Sequence, residues 1–267
     1  MITLEHIDYS YDGIEALKDL SFTLGDAPIT AVIGANGAGK STLFQCILGL
    51  LKPTSGRILV DGEPISYKKA HLRAYRQRVS MLFQDPDKQI FFSRVYDDVA
   101  FALRNLQVEE EEIARRVEES LRRVDVWDLR ERPVHYLSYG QKKRVALAGC
   151  LALGSELLLL DEPTAGLDPA MERQIVELIE ELAGQGTKIV LSSHDMDFIY
   201  RTCEKIFVLG KGELLAAGSR EEVFLDEEKI LRADLRLPWL VEAHLRTGLP
   251  LCARPEDFYR QIGGKRR

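Results

Sequence analysis

The stretch that decides the fold is GANGAGKS, residues 34–41. It is a complete phosphate-binding loop, G-x-x-x-x-G-K-S, between the apolar run Ile29–Ile33 and the helix-compatible run Ser41–Leu51. Glycines let backbone N–H groups turn inward around a phosphate, while Lys40 supplies a charge for the β- and γ-phosphates and Ser41 a hydroxyl for Mg²⁺. The stretch therefore predicts that the chain binds a nucleoside triphosphate. A Gly-rich turn without function is the alternative, and the full motif in its proper context makes it much less favoured.

The composition narrows the class of protein. The 267 residues are 45% hydrophobic and 29% charged, which predicts a sizeable core in one or two domains. No apolar run approaches the ~20 residues that cross a bilayer, and the N-terminal residues predict no secretory signal. The net charge of −6 argues against a mainly electrostatic nucleic-acid binder. The four cysteines and five histidines are dispersed, so we expect reduced thiols and no metal cluster beyond the Mg²⁺ of the nucleotide.

Strands alternate with helices and predict an α/β fold with a mainly parallel sheet. Besides the run before the loop, the predicted strands are Ile2–Tyr9, Leu17–Leu24, Arg57–Val60, Val79–Phe83, Glu156–Asp161, Lys188–Ser192, and a closing hairpin of Ile206–Leu209 with Leu214–Ala217. The predicted helices are Ser41–Leu51, Glu109–Val124, Ala170–Ala183, and a short one that begins with a capping box at Ser219–Glu222. A helical middle interrupts the sheet, and from about Asp226 the pattern loosens.

Two carboxylates follow the aliphatic run LLLL at residues 157–160. Asp161 at the strand tip can hold Mg²⁺ through water, opposite Ser41, and Glu162 can polarise the attacking water. Taken alone, such an acidic pair is more often a solvated turn. The phosphate loop in the same chain favours the catalytic interpretation.

A second motif, LSYGQKKR at residues 137–144, precedes a helical pattern that runs to Leu151. Ser138 can cap that helix, and a helix N-terminus preceded by Ser and Gly can bind an anion. The local pattern alone favours a capped helix and nothing more.

The order of these motifs resembles the ATP-binding cassette family over about residues 1–217. The phosphate loop, Gln84, L-S-x-G-Q, the strand ending in Asp-Glu, the run Ala165–Asp168 and His194 follow in that family's order. The resemblance implies a P-loop NTPase (RecA-like) core with a mainly parallel sheet, an antiparallel β subdomain and an inserted α-helical subdomain at about residues 88–152. We assign a nucleotide-binding domain to residues 1–225 and a C-terminal helical accessory extension to residues 226–267.

The resemblance also implies the residues that hold ATP and Mg²⁺ within one subunit. Tyr11 would stack on adenine, with Tyr9 as its rival and an ordinary strand-end aromatic as the alternative. The phosphates would be held by Asn36, Gly37, Gly39, Lys40, Ser41 and Thr42. The metal would be held by Ser41, Gln84 and Asp161.

Turnover and pairing of subunits are implied in the same way. Glu162, His194 and Gln84 would be catalytic, with His194 at the γ-phosphate; a satisfied histidine after a strand is the alternative. Ser138, Gly140 and Gln141 would close over ATP bound to the other subunit, and Asp168 would lie at the dimer seam. Tyr139 departs from the family pattern, in which most cassettes have Gly.

The wording of two segments resembles one branch of the family, the ATPases of energy-coupling-factor importers. These segments are FQDPDKQIF, residues 83–91, and LSYGQKKRVA, residues 137–146; together with EPISY at 63–67 they are most similar to cobalt and nickel importers. The implied partners are a second ATPase subunit, identical or different, an integral membrane coupling subunit and a substrate-binding membrane subunit. The chain would then be peripheral at the cytoplasmic face of the cell membrane, with no nucleic acid expected.

Three alternatives to metal import remain. The same ATPase could serve a vitamin-importing energy-coupling-factor transporter. A soluble cassette ATPase acting on nucleic acid or ribosomes is less favoured, because the chain has no second cassette and no long coiled-coil insertion. A regulatory module without turnover is disfavoured because Glu162 and His194 are both present.

Two further segments carry expectations of their own. The apolar side chains of Gln84–Val95, which include Ile90, Phe91, Phe92 and Val95, are either ordinary core or a groove for a helix of the membrane partner, and we favour the groove. The tail holds an apolar cluster of Leu231, Leu235, Leu237, Trp239 and Leu240 without phosphate-binding residues, which predicts an accessory role outside the ATP site.

Overall fold

A computed structural model describes residues 1–263 and confirms the α/β class. Within these residues the strands are β1 (Ile2–Tyr11), β2 (Ile14–Leu24), β3 (Ile29–Ile33), β4 (Ser55–Val60), β5 (Glu63–Pro64), β6 (Val79–Leu82), β7 (Leu157–Asp161), β8 (Lys188–Ser192), β9 (Lys205–Gly210) and β10 (Glu213–Ser219). The helices are α1 (Lys40–Ile47), α2 (Lys69–Arg78), α3 (Val95–Asn105), α4 (Glu110–Arg123), α5 (Tyr139–Leu153), α6 (Pro169–Gly184), α7 (Met196–Thr202), α8 (Arg220–Phe224), α9 (Glu227–Arg232), α10 (Trp239–Thr247) and α11 (Pro255–Gly263). Short 3₁₀ turns lie at Pro86–Lys88, Trp127–Leu129 and Val134–Tyr136.

The chain divides into two compact units. The first consists of Met1–Ile65 together with the described part of Ser192–Arg267, and the second of Ser66–Leu191. The phosphate loop therefore belongs to the first unit, whereas Gln84, Ser138 and the carboxylates of Asp161 and Glu162 belong to the second.

The first unit contains an antiparallel sheet of order β2-β1-β4-β5. It also contains adjacent strands in the order β10-β9-β3, with β9 antiparallel to β10 and parallel to β3, where Thr30 lies opposite Lys205. All five residues of β3 are buried, as its mainly apolar sequence predicts for a strand covered on both faces. This strand delivers the chain into the phosphate loop.

The second unit carries β6, β7 and all but the last residue of β8, with β7 between the other two. β6 and β7 run parallel, and Val79 lies opposite Leu157. Both strands are buried throughout. Their carboxyl ends therefore bring Gln84 and the Asp161–Glu162 pair to the same edge of this part of the sheet, where ligands of open α/β sheets bind.

The helices α3, α4 and α5 form the helical middle of the second unit. In α4 the side chains of Ile113, Val117 and Leu121 recur every four residues and are fully buried. Its first turn is acidic and its last turn holds Arg122 and Arg123, an arrangement that favours the helix dipole. The predicted amphipathic helix is thus confirmed.

The predicted strands and helices are all present, and most differ from their predicted bounds by only a few residues. Both strands of the first hairpin are longer than predicted, reaching Tyr11 and beginning at Ile14. Before the tail, three helices escaped prediction: α2, α3 and α7. α2 has no buried residue, so it carries no apolar stripe to recognise. α3 does bury Val95, Val99 and Leu103 at four-residue spacing, so its periodic pattern was present in the sequence but was not among the predicted helices.

The described part of the tail is helical and packs on its own unit. The backbone N–H of Trp239 donates to the Asp197 carboxylate at 2.8 Å, which ties α10 to α7. Leu240, Cys252 and Phe258 form a buried cluster, and the Trp239 ring meets Phe258 edge-on at 5.4 Å. The last four residues of the assigned extension lie outside the described residues. No helix within residues 1–263 is both long and apolar enough to cross a membrane.

Replacing Phe258 by Ala should release α11 locally, because Phe258 is the main apolar anchor of that helix in the cluster. We expect a loss of about 3 kcal/mol of local stability and, in limited proteolysis, cleavage of the 248–263 segment at least about tenfold faster. The matched control is Tyr259→Ala, since this neighbouring ring is 61% exposed. Equal cleavage of the two variants would contradict the packing described for the tail.

Candidate functional site

The phosphate loop has a backbone geometry that requires glycine. Gly39 has φ of 103°, and a Cβ there would lie 2.6 Å from the Ala16 carbonyl oxygen and 2.8 Å from Leu17 Cδ2. Any other residue at this position would therefore meet both backbone strain and a steric clash. The loop is consequently held close against β2 in the shape from which α1 begins.

Lys40, the first residue of α1, is buried, with 7% of its surface exposed. Its ammonium donates to the carbonyl oxygens of Gly34 at 2.7 Å and Ala35 at 3.1 Å. These bonds fold the side chain back over the loop. The charge thus lies within the loop that is predicted to bind phosphate, and Ser41 follows Lys40 in the first turn of the helix.

Tyr11 ends β1 with an exposed ring. The ring meets Tyr9 edge-on at 4.8 Å between centroids, and its hydroxyl lies 3.5 Å from Thr42 Oγ1 on α1. The predicted aromatic is thus close to the predicted phosphate-binding helix. Whether Tyr11 or Tyr9 stacks on adenine stays a prediction.

His194 follows β8 in the first unit and is exposed. Its neighbours Ser193 and Asp195 fix the turn: Asp195 N–H donates to Ser193 Oγ, and the Asp195 carboxylate accepts from the N–H groups of Asp197 and Phe198. The short helix α7 therefore begins two residues after His194, with Asp195 as its N-cap. The predicted contact with the γ-phosphate stays a prediction.

The two carboxylates in the second unit are buried at the end of β7. Asp161 and Glu162 expose 2% and 4% of their surfaces. Glu162 has φ of 51°, a left-handed conformation that is uncommon outside glycine and that turns the chain sharply at the end of the strand. Buried carboxylates require compensation by cations, hydrogen bonds or a metal, so this pair fits the predicted Mg²⁺ and water site.

Lys143 supplies one such compensation, a role that its sequence motif alone did not predict. This side chain of α5 is 1% exposed, and burial lowers its pKa to about 8, against the opposing influence of Asp161, Glu162 and Asp85. The signal was present in the sequence, because Lys143 precedes Leu147 by four residues and Cys150 by seven, on the buried face of the helix.

Gln84 lies just after β6, and its side chain is exposed. Its backbone carbonyl oxygen accepts a hydrogen bond from the Tyr139 hydroxyl at 2.9 Å and another from the Lys143 ammonium at 2.9 Å. Gln89 nearby fixes the same segment, since its side chain accepts from Phe83 N–H and donates to the Ala146 carbonyl. The structure therefore brings Gln84 against the beginning of α5.

The predicted cap at Ser138 is confirmed as a full capping box. Ser138 Oγ accepts from Gln141 N–H, and the Gln141 side-chain oxygen accepts from Ser138 N–H. Gly140 lies between them in the first turn of α5. These interactions orient the helix N-terminus, where the resemblance expects contact with a second subunit's nucleotide.

Asp168 has a structural role within its own chain. Its carboxylate caps α6 by accepting from the N–H groups of Ala170 and Met171, and these bonds, the one from Met171 foremost, hold its pKa below the usual value. The predicted place at a dimer seam is neither required nor contradicted by this cap.

Comparison with known proteins agrees with this arrangement. The sequence profile of the family described as ABC transporter matches residues 17–165. The chain belongs to the ABC transporter family. It is an ATPase of the ATP-binding-cassette type, and the expected P-loop NTPase fold is confirmed.

The relatives narrow the branch. The chain is 45% identical over 262 residues to the cobalt import ATP-binding protein CbiO of Salmonella typhimurium, covering 98% of this chain and 97% of the relative. It is 42% identical over 240 residues to the energy-coupling factor transporter ATP-binding protein EcfA3 of Clostridium perfringens, covering 89% and 84%. The solved structure of cbiO1 from Clostridium perfringens, part of the ABC transporter complex cbiONQ, superposes with a TM-score of 0.75 at 41% identity, covering 91% and 98%. The chain is an ATP-binding subunit of this energy-coupling-factor, CbiO-like type.

Lys40→Ala should abolish turnover and remove most ATP affinity. The substitution removes the ammonium that is held within the loop, while the loop backbone keeps its shape. We expect ATP to bind about ten- to a hundredfold more weakly by equilibrium titration, as for the loss of a charged hydrogen bond to phosphate. Lys69→Ala, at the exposed beginning of α2, is the matched control. Hydrolysis at the wild-type rate in the Lys40 variant would mean that the loop is not the phosphate site.

Proposed function

We propose that this chain hydrolyses ATP to power import of a transition-metal ion, cobalt or nickel, through an energy-coupling-factor membrane complex. The observation that carries the proposal is the 45% identity to a cobalt import ATP-binding protein along nearly the whole of both chains. The motif wording at residues 83–91 and 137–146 supports the same branch. The ion itself would pass through membrane subunits, and this chain would supply the energy.

In this proposal the phosphate loop binds ATP in the first unit. Lys40 and the N–H groups around Asn36, Gly37, Gly39 and Thr42 would neutralise and orient the phosphates, and Tyr11 would stack on adenine. The hydroxyl of Ser41, the Asp161 carboxylate and the Gln84 side chain would hold Mg²⁺, which when bound offsets charge on the β- and γ-phosphates. Oxygen donors of this kind suit Mg²⁺.

Glu162 would act as the general base for the attacking water. Its burial favours this role, because a carboxylate kept from bulk solvent interacts strongly with a water molecule beside it. His194 would contact the γ-phosphate from the first unit, and Gln84 would orient the water. Each of these groups lies at the end of a strand, which is where catalytic residues of α/β sheets lie.

Two copies, or this chain and a related one, would pair head to tail. The N-terminus of α5, with Ser138, Gly140 and Gln141, would then close over ATP held by the other subunit, and Asp168 would lie at the seam. The capped N-terminus of α5 presents backbone N–H groups that are suited to binding phosphate. Pairing would therefore depend on ATP.

The membrane partner would dock around residues 88–96, and the chain would then be a peripheral subunit at the cytoplasmic face of the membrane. Phe91 and Phe92 are 76% and 39% exposed and support an apolar docking surface. Val95, which the sequence analysis counted with them, is fully buried at the beginning of α3 and belongs to the core. The tail from Asp226 would remain accessory to the ATP site.

Glu162→Gln should bind ATP but hydrolyse it about 10²- to 10⁴-fold more slowly, because the amide keeps the shape of the base but cannot accept the proton. In MgATP the variant should accumulate as a dimer with close to twice the 30.2 kDa mass of one chain, measured by light scattering. The matched control is Glu156→Gln, at the exposed residue just before β7. A Glu162 variant that stays monomeric in MgATP or turns over normally would count against both the base and the composite site.

Transport distinguishes the metal from its alternatives. The tagged chain is purified with its membrane partners, reconstituted in vesicles with MgATP on the ATPase side, and tested for uptake of labelled cobalt, nickel and vitamins. We expect ATP-dependent accumulation of cobalt or nickel, abolished when the complex carries the Glu162→Gln subunit. Vitamin uptake without either ion would identify the second candidate, and recovery with ribosomes instead of membrane proteins would refute a transport role.

A further inference from the structure

One backbone oxygen in the second unit receives two donors from the same helix. The Gln84 carbonyl accepts from Tyr139 Oη and from Lys143 Nζ, each at 2.9 Å. Tyr139 and Lys143 are four residues apart, so they project from one face of α5 on successive turns. We call this pair of donors the Gln84 clamp.

Lys143 could not be buried without such partners. An isolated ammonium in a protein interior carries a large desolvation cost, and this one is 1% exposed. The Gln84 carbonyl is its hydrogen-bond acceptor, and Asp161 and Glu162 are the principal charges that favour its ionised form. One ammonium therefore connects the Gln84 segment, the α5 helix and the two buried carboxylates.

Tyr139 is fixed from its other side by the loop that follows Glu162. Gly166 has φ of 78°, and a Cβ on it would lie 2.6 Å from Tyr139 Cε1 and 2.9 Å from Cδ1. The ring thus rests directly on the Gly166 backbone while its hydroxyl reaches Gln84. A glycine at position 139, as most cassettes have, would provide neither contact.

We propose that Tyr139 and Lys143 are positioning residues that hold the Gln84 segment against α5 and thereby set the Gln84 side chain for ATP turnover. This inference rests on the catalytic role of Gln84 proposed above. Because the helix that carries the clamp also begins with Ser138, displacement of Gln84 requires either rupture of two hydrogen bonds or movement of the Ser138 end of α5. The clamp therefore couples the two motifs within one subunit.

The first test is a double-mutant cycle on steady-state hydrolysis. Tyr139→Phe removes the hydroxyl and keeps the ring on Gly166, so folding should be preserved. We expect kcat to fall about fivefold, as for one lost hydrogen bond of about 1 kcal/mol, with KM for ATP unchanged. In the Gln84→Ala background the same substitution should have no further effect, because the clamp acts through that side chain. Tyr136→Phe, an exposed tyrosine just before the motif, is the matched control.

The second test measures the effect of the Gln84 clamp on local stability, independently of ATP hydrolysis. Amide hydrogen exchange of residues 83–89 in the nucleotide-free chain should be about fivefold faster in Tyr139→Phe than in the wild type or Tyr136→Phe. Lys143→Met, followed together with its thermal unfolding, should raise exchange in the same segment. If that variant does not fold, the hydrogen exchange of Tyr139→Phe alone decides the test.

The outcomes separate the clamp from the role of Gln84. Unchanged exchange in Tyr139→Phe, or an equal loss of kcat with and without the Gln84 side chain, overturns the clamp. Full turnover in Gln84→Ala alone overturns instead the catalytic assignment of Gln84 and, with it, the claim that the clamp sets turnover.

Discussion

The burial of Asp161 and Glu162 is the constraint on which the second unit depends. The aliphatic strand β7 carries these two carboxylates to its buried end, where they expose 2% and 4% of their surfaces. A buried negative charge must be offset by a cation, by hydrogen bonds or by a bound metal. Lys143 provides a cation from α5, and a nucleotide-bound Mg²⁺ would add positive charge there in the proposed function. The need for charge compensation thus links the site to the helix that begins at Ser138.

The first unit contains a buried cation, the ammonium of Lys40. Lys40 is held over the phosphate loop by hydrogen bonds to the Gly34 and Ala35 carbonyl oxygens. Phosphate oxygens are the partners that this geometry suits. In the proposed function, the phosphates of ATP would add negative charge beside Lys40.

Much of this could be predicted from the sequence because the decisive motifs are local. The phosphate loop, the apolar β3 and β7, and the amphipathic α4 each follow from adjacent or periodic residues. The Ser138 and Ser219 capping boxes were readable for the same reason. The helix α2 was not predicted, because a helix without buried residues has no apolar stripe that distinguishes it from a polar loop.

The missed parts of the site depend on contacts that are distant in sequence. The hydrogen bond from Lys143 to the Gln84 carbonyl joins residues 59 apart in sequence, and no local pattern near either residue predicts it. Helical spacing could have assigned Lys143 to the buried face of α5, but not to its partner. Conversely, Asp168 was predicted for a dimer seam on the strength of the resemblance, and its local function as the cap of α6 is a role that Asp before Pro commonly has.

The measurement that tests the central claim most directly is a crystal structure of the wild-type chain with ADP, Mg²⁺ and an anionic mimic of the transferring phosphoryl group. The account predicts a metal about 2.1 Å from Ser41 Oγ, with the Asp161 carboxylate hydrogen-bonded to its water. It also predicts that the attacking oxygen lies about 3 Å from the Glu162 carboxylate. A nucleotide bound with its phosphates away from residues 34–41, or a Glu162 carboxylate beyond hydrogen-bonding reach of that oxygen, would contradict it.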